Sequence, residues 1–449
     1  MVVVPGEVGL HRHKPILVIL IILINVLVYI YTSYSNETPL ISSTINNIYK
    51  LGFIPAMIFT NPLKTLTRIF TSMFTHADLL HIFFNMYFLW VFGSRIENVL
   101  GHKRFLVLYM LSGLSAILFH MGFISASDYS SLVIPAVGAS GAISGVLGAY
   151  LLLFPHTRLV FCTYFLVLPY CFPISSSIFL LIWFAQQVIY GYMRLGGVAY
   201  FAHIGGFVLG LAITPVLAKH IVEKYRYIGV FDWIYKYLGI SIKKSKGLGG
   251  FAKAILLLLL IAIVAGFIYS SIIAISSPLS NTYALSISAN NNEEVLMFSI
   301  NRGDLSISSS QVDSVRIFVN RLPRNLIYNK EYAGKTIEDN LSYSVVIRGV
   351  RVPVELTISG KYDENGLLRS ASGVMNTESV LVNIYGRTYT EPITINYEVE
   401  INAIDTQPLG ASALMSAALS LLAIPAIFKS DELVIVEESE AYSRRYPYI

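Results

Sequence analysis

The chain has 449 residues, of which 55% are hydrophobic and 13% charged, and a formal net charge of +5. A soluble globular protein carries about a quarter charged residues, so much of this chain is solvated by lipid. The basic excess forms no aromatic-interleaved nucleic-acid surface, and the two cysteines, Cys162 and Cys171, lie in an apolar region and suggest neither a disulfide framework nor a metal site.

A membrane span needs about 20 apolar residues. Eight segments qualify: 15–33, 80–98, 104–124, 140–155, 175–193, 203–219, 252–276 and 409–428. The first follows His11, Arg12 and Lys14 and has no small-residue cleavage site after Tyr31, which predicts an uncleaved anchor. The fourth and sixth are short and glycine-rich, the composition of spans inside a bundle. Basic residues set the sidedness. They cluster at His102–Arg104, at Arg158, and through 219–250, where Lys219, Lys224, Arg226, Lys236, Lys243, Lys244 and Lys246 face only Glu223 and Asp232. These loops alternate on one side with the N-terminus, so spans two, four and six begin at the outer face. The sequons Asn36–Thr38 and Asn340–Ser342 fall outside in this arrangement.

Residues 279–408 alternate with period two, as in Val352, Val354, Leu356 and Ile358, in Val380, Val382 and Ile384, and from Ile393 to Ile401. Asn365-Gly366 is a hairpin signal. The expected organisation is a cytoplasmic N-terminus (1–14), a six-span helical core (15–219), a basic cytoplasmic linker (220–251), a seventh span (252–276), an extracytoplasmic all-β domain of β-sandwich type (279–408), an eighth span (409–428) and a cytoplasmic tail (429–449). The expected location is the cell membrane, with both termini cytoplasmic.

Three motifs open spans two, four and six. Gly138-Ala139-Ser140-Gly141 puts a serine at a helix start, where the free amides of the first turn attract developing negative charge. Taken alone, Ser140 with Gly141 and Gly145 marks close helix packing before it marks a nucleophile. Ala202-His203-Ile204-Gly205-Gly206 opens the sixth span. A titratable group there defaults to a functional reading, although a hydrogen-bonded strut is the alternative. Gly206 and Gly210 permit approach to the glycines of span four, which would bring His203 within reach of Ser140 and make the serine nucleophilic. His81-Ile-Phe-Phe-Asn85 opens the second span with two hydrogen-bond donors on one helix face. In isolation these could tie down a loop; beside a serine and a base they make an oxyanion hole with the Ser140 amide.

With these motifs the chain resembles the rhomboid intramembrane serine proteases over 15–219, through the GASG serine motif, the AHIGG histidine helix, the HIFFN helix continuing to Glu97, and the upstream run Phe74-Thr75-His76-Ala77-Asp78. The resemblance implies a Ser140–His203 dyad without an aspartate, with His81, Asn85 and the Ser140 amide as oxyanion hole. It also implies substrates that are membrane proteins with transmembrane segments, cut within the lipid bilayer without a cofactor. Two positions depart from the family pattern: Thr67 precedes Arg68 in place of a tryptophan, and Ser144 stands where some members carry an aromatic that stacks on the histidine. Gly138 and Glu97 are read as structural, Glu97 pinning loops at the inner end of its helix. No HExxH pattern suggests a metal. Two other classes are the alternatives. A rhomboid-like client-binding protein without activity typically lacks the serine or the histidine, and a transporter would show paired acidic residues or repeated halves.

Overall fold

The computed structural model describes residues 2–5, 14–35, 39–165, 168–228, 247–277, 279–301, 304–382 and 388–435. The sequon at 36–38, His11 and Arg12, the linker lysines between 229 and 246, Ile384 and the tail from 436 lie outside the described residues.

A short strand β1 (Val2–Pro5) precedes the first long helix, α1 (Ile16–Ser33). A loop with three short helices follows: α2 (Ile45–Leu51), α3 (Met57–Thr60) and α4 (Pro62–Ser72). Helix α5 (Leu79–Leu100) passes through a π turn at Leu89–Gly93. Next come α6 (His102–Phe123), α7 (Ser140–Leu153), the hairpin β2 (Arg158–Phe165) and β3 (Leu168–Ser175), α8 (Ser176–Tyr192), α9 (Tyr200–Ile228) and α10 (Gly250–Ser276).

The chain then forms β4 (Thr282–Ala289), β5 (Asn292–Asn301), β6 (Asp304–Ile307), α11 (Asp313–Arg321), β7 (Thr336–Ile347), β8 (Val350–Tyr362), β9 (Leu368–Val382) and β10 (Thr388–Ala403). It returns through α12 (Gln407–Leu422).

Among the described residues, six helices are long and apolar enough to cross a membrane: α1, α5, α6, the Tyr200–Lys219 part of α9, α10 and α12. The eight expected segments therefore correspond to six helices of spanning length and two shorter ones, α7 with 14 residues and α8 with 17. The shortness of α7 has a packing reason. Every residue from Gly141 to Leu153 is buried, so this helix is solvated by other helices rather than by lipid. By contrast α1 exposes Ile16, Leu23 and Leu27, and α10 exposes Leu258, Ile261 and Ile275, as lipid-facing helices do.

A β-hairpin between spans four and five was not expected. β3 pairs with β2, and β2 with β1, in a small sheet at the end of the bundle away from β4–β10. Cys171 is disulfide-bonded, and the register sets it opposite Cys162 across this hairpin, a bridge the sequence reading did not anticipate. Two apolar strands in register read like one apolar run when only hydropathy is consulted.

The segment expected to be all-β is so, but its architecture differs from the expected one. It is not a sandwich. Seven antiparallel strands form one curled sheet, a half-barrel, in the order β6-β5-β4-β10-β9-β8-β7. Period-two burial holds along β8 and β10, but what covers that face is helix α11 with Leu326 and Ile327 of the turn after it, and the Phe318 ring lies 4.5 Å from Tyr397 on β10. Alternation specifies one buried face per strand without saying whether a sheet or a helix covers it. Asn365-Gly366 sits in the turn between β8 and β9, with Gly366 at φ 83°. Asn340 is exposed on the edge strand β7.

This half-barrel has its own core but also sits on the helical part. Phe53, Ile54, Ala56 and Met57 around α3, with Met121, Ile124 and Leu132, share one buried cluster with Ala284 of β4, Val295 of β5 and Ile404. Consecutive glutamates on β5 face opposite ways. Glu294 turns inward and accepts from the Gln311 amide at 2.8 Å, while Glu293 reaches Lys64 and lies 3.0 Å from Arg68 Nη2. Arg68 is 2% exposed, and burial lowers its pKa against the opposing pull of Glu293. The β domain thus supplies the counter-charge for a buried cation of the helical part. The extra spans also pack inward: Phe267 of α10 meets Phe119 and Phe123 of α6 and Phe201 of α9, and Ser270 donates to the Gly122 carbonyl at 2.6 Å.

Removing one member of a buried ion pair strands the other, at a cost of about 3–5 kcal/mol, whereas replacing both by apolar groups is far milder. Glu293→Leu should therefore lower the thermal unfolding midpoint in detergent clearly, and Arg68→Leu/Glu293→Leu should recover much of the loss. An unchanged midpoint in Glu293→Leu would show that the pair contributes nothing.

Candidate active site

Helices α5, α7 and α9 all begin at the end of the bundle that faces the β domain, and each brings its motif there. At α7 the turn before the helix is set by Gly138, with φ +122°, a region that L side chains rarely adopt. A Cβ there would also lie 2.7 Å from His81 Nε2 and 3.5 Å from Ser140 Oγ, so only a glycine lets the turn lie against the histidine. His76 accepts from the Ala139 amide through Nε2 at 3.4 Å and packs edge-on to His81, with ring centroids 5.0 Å apart.

Helix α9 is laid directly on α7. A Cβ on Gly206 would run into the carbonyl oxygen of Gly141, and one on Gly210 into that of Gly145. On the other side of α7, a Cβ on Gly145 would collide with Ser112 of α6. Two parallel helices in backbone contact have their first turns side by side, and this is where Ser140 and His203 stand. His203 Nε2 lies 2.8 Å from Ser140 Oγ, a hydrogen bond. The other ring nitrogen, Nδ1, lies 2.8 Å from Gln187 Oε1 of α8, and the Trp183 ring, one turn earlier on α8, lies over His203 with centroids 6.2 Å apart and planes at 28°.

Asp78 caps α5 by accepting from the His81 amide at 2.9 Å. His81 Nε2 lies against the Gly138 turn, and His81 lines the same cavity as Ser140. Asn85, 7% exposed, gives one amide hydrogen to the His81 carbonyl at 2.9 Å and has a second to offer. Ser144 is buried, with its hydroxyl turned back to the Ser140 carbonyl at 2.7 Å. A cavity of about 1310 Å³ reaches the group, lined by Phe84, Asn85, Ser140, Trp183 and His203 and by the segment 194–200; none of its lining comes from the β domain.

Ser140, His203, His81 and Asn85 are therefore gathered in one cavity, and Gly141, Gly145, Gly206 and Gly210 in the contact beneath it. Glu97 stands apart at the opposite end of the bundle. It is fully buried, accepts from the Leu17 and Val18 amides at 2.8 Å each and lies 2.5 Å from His102 Nδ1, so it caps α1. The sequence reading missed Gln187, Trp183 and the contact of His76 with the Ala139 amide. A polar pair, Gln186-Gln187, in an otherwise apolar span was the available signal, since a buried amide in lipid needs a partner. Among the described residues no group of three His, Cys, Asp or Glu could hold a metal ion.

Residues 63–220 match the family model described as the Rhomboid domain. The chain is 33% identical over 159 residues to the mitochondrial Rhomboid protein 1 of Saccharomyces cerevisiae, covering 34% of this chain and 42% of that protein. It is 39% identical over 89 residues to the human mitochondrial presenilin-associated rhomboid-like protein, covering 20% and 22%. It is 30% identical over 177 residues to RHOMBOID-like protein 1 of Arabidopsis thaliana, covering 39% and 41%. The chain thus spans less than half the length of these curated relatives. The yeast and human relatives are named as mitochondrial, which overturns the expected cell-membrane location. Hydropathy and basic loops set spans and sidedness but do not distinguish one membrane from another.

Adding a methyl where backbone touches backbone forces the helices apart, at about 1–3 kcal/mol. Gly206→Ala should lower the unfolding midpoint, while Gly196→Ala, with nothing within 4 Å of its Cβ, should not. Equal midpoints for the two variants would contradict the close contact.

Proposed function

We propose that this chain, which belongs to the rhomboid family, is an active intramembrane serine endopeptidase that cuts membrane-embedded proteins. The observation that carries the proposal is the 2.8 Å hydrogen bond between His203 Nε2 and Ser140 Oγ inside a cavity among the spans. In this reading Ser140 Oγ attacks a peptide carbonyl while His203 Nε2 takes its proton. The Ser140 amide, His81 and the free hydrogen of Asn85 hold the tetrahedral oxyanion. The carbon–nitrogen bond breaks as His203 returns the proton to the leaving amine, giving an acyl-enzyme. Water, deprotonated by His203, then cleaves the ester and restores the serine. The mitochondrial names of the relatives support a mitochondrial membrane as the setting.

The supporting feature against a non-cutting client-binding relative is that serine and histidine are both present and in contact. Ser140→Ala and His203→Ala should each abolish cleavage of a reconstituted model span, with the double variant no worse, because the two act as one unit. Asn85→Ala should lose about 10²–10³-fold at most, one donor among several. Clear residual cutting by folded Ser140→Ala would refute the assignment.

The site lies in the first one or two turns of its helices, roughly 5–10 Å below the end nearest the β domain at 1.5 Å per residue. A helical substrate must unwind there, and glycine or proline lowers that cost by about 1 and 3 kcal/mol relative to alanine. Mass-spectrometric mapping of a panel of spans should place cuts near that face, faster in Gly- or Pro-containing segments. Equal rates for an unbroken Leu-rich helix, or cuts at the opposite face, would contradict this account.

A further inference from the structure

We propose that Gln187 is the positioning residue for His203, completing a hydrogen-bonded chain Ser140–His203–Gln187 of three side chains from three helices; this rests on the serine-protease reading above. The argument starts from satisfaction. Helix α8 carries two adjacent glutamines in an apolar run, and only Gln187 is turned inward, 6% exposed, while Gln186 is exposed. A primary amide buried between membrane helices is costly unless paired. Gln187 Oε1 has a partner at 2.8 Å, and that partner is Nδ1 of the histidine whose Nε2 lies 2.8 Å from the serine.

The chemistry follows from the ring. For Nε2 to receive the serine proton it must hold a lone pair, so the neutral ring must carry its hydrogen on Nδ1. A carbonyl oxygen at Nδ1 accepts that hydrogen and selects the productive tautomer. It also keeps a partner for Nδ1–H once the ring is charged, without placing a second ionised group in the bilayer. The reverse amide orientation would put N–H against Nδ1 and move the ring proton to Nε2, facing Ser140, where no proton could be taken up. Trp183 and Gln187 are four residues apart and share one face of α8, so the same helix sets the ring by its plane and by its edge. Ser144 cannot do so: it is small and its hydroxyl is spent on the Ser140 carbonyl. Two other imidazoles line the cavity, His81 of α5, which lies against the Gly138 turn, and His120 of α6, while the partner of Nδ1 is Gln187.

The test is steady-state cleavage of a glycine-containing model span by the full chain in liposomes, with Ser140→Ala as control. Gln187→Leu and the slimmer Gln187→Met should each lower kcat by about 10–100-fold, the worth of one buried hydrogen bond, with KM within about twofold. Gln187→Glu, which presents an oxygen acceptor in either protonation state, should recover most of that loss. Wild-type kcat in the folded Leu or Met variant would overturn the proposal, as would a Glu variant no better than Leu, which would reduce Gln187 to a matter of shape. Cutting that persists in Ser140→Ala would instead bring down the serine reading itself.

Discussion

The arrangement depends on one constraint, the backbone contact between α7 and α9. Helices normally lie 8–10 Å apart because side chains stand between them. Here Gly206 lies against the Gly141 carbonyl and Gly210 against that of Gly145, so no side chain intervenes. Side chains that leave the first turns of such helices meet without reaching, and a serine and a histidine of ordinary length form a 2.8 Å hydrogen bond. The same contact explains why α7 is short, small in composition and buried throughout, and why lipid is met by α1 and α10 instead.

Much of this was legible in the sequence, because the residues concerned are rare in their setting. Serine and histidine at helix starts, glycines four apart, and two donors at i and i+4 stand out from an apolar background. Hydropathy likewise marks the long helices. What was not legible had no such contrast. Gln187 carries no charge and sits in a span whose polar content looks incidental until its partner on α9 is known. Glu293 is one acid of a polar strand, and only the fold shows that it answers Arg68, 225 residues earlier. The half-barrel and the sandwich share a period of two, so the strand pattern could not choose between them. The hairpin β2–β3 was masked because its strands are nearly as apolar as a helix.

The β domain and the two extra helices have to be understood as part of the folded whole. Every residue of the candidate site precedes Lys219, which on sequence alone suggests a self-sufficient core. Yet Phe119, Phe123 and Phe201 are covered by Phe267, and Arg68 is neutralised from β5. A chain cut before α10 would expose the aromatic face behind the histidine helix and leave a buried guanidinium without its counter-charge, both large penalties for a bundle.

The central claim is that Ser140 is made nucleophilic by His203 within this bundle. The most direct measurement is covalent labelling of the reconstituted full chain with a fluorophosphonate, followed by peptide mass spectrometry. The account predicts an adduct on Ser140 in the wild-type chain and none in a folded His203→Ala variant. An adduct on Ser140 of equal extent in that variant, or an unlabelled Ser140 in the folded wild-type chain, would contradict it.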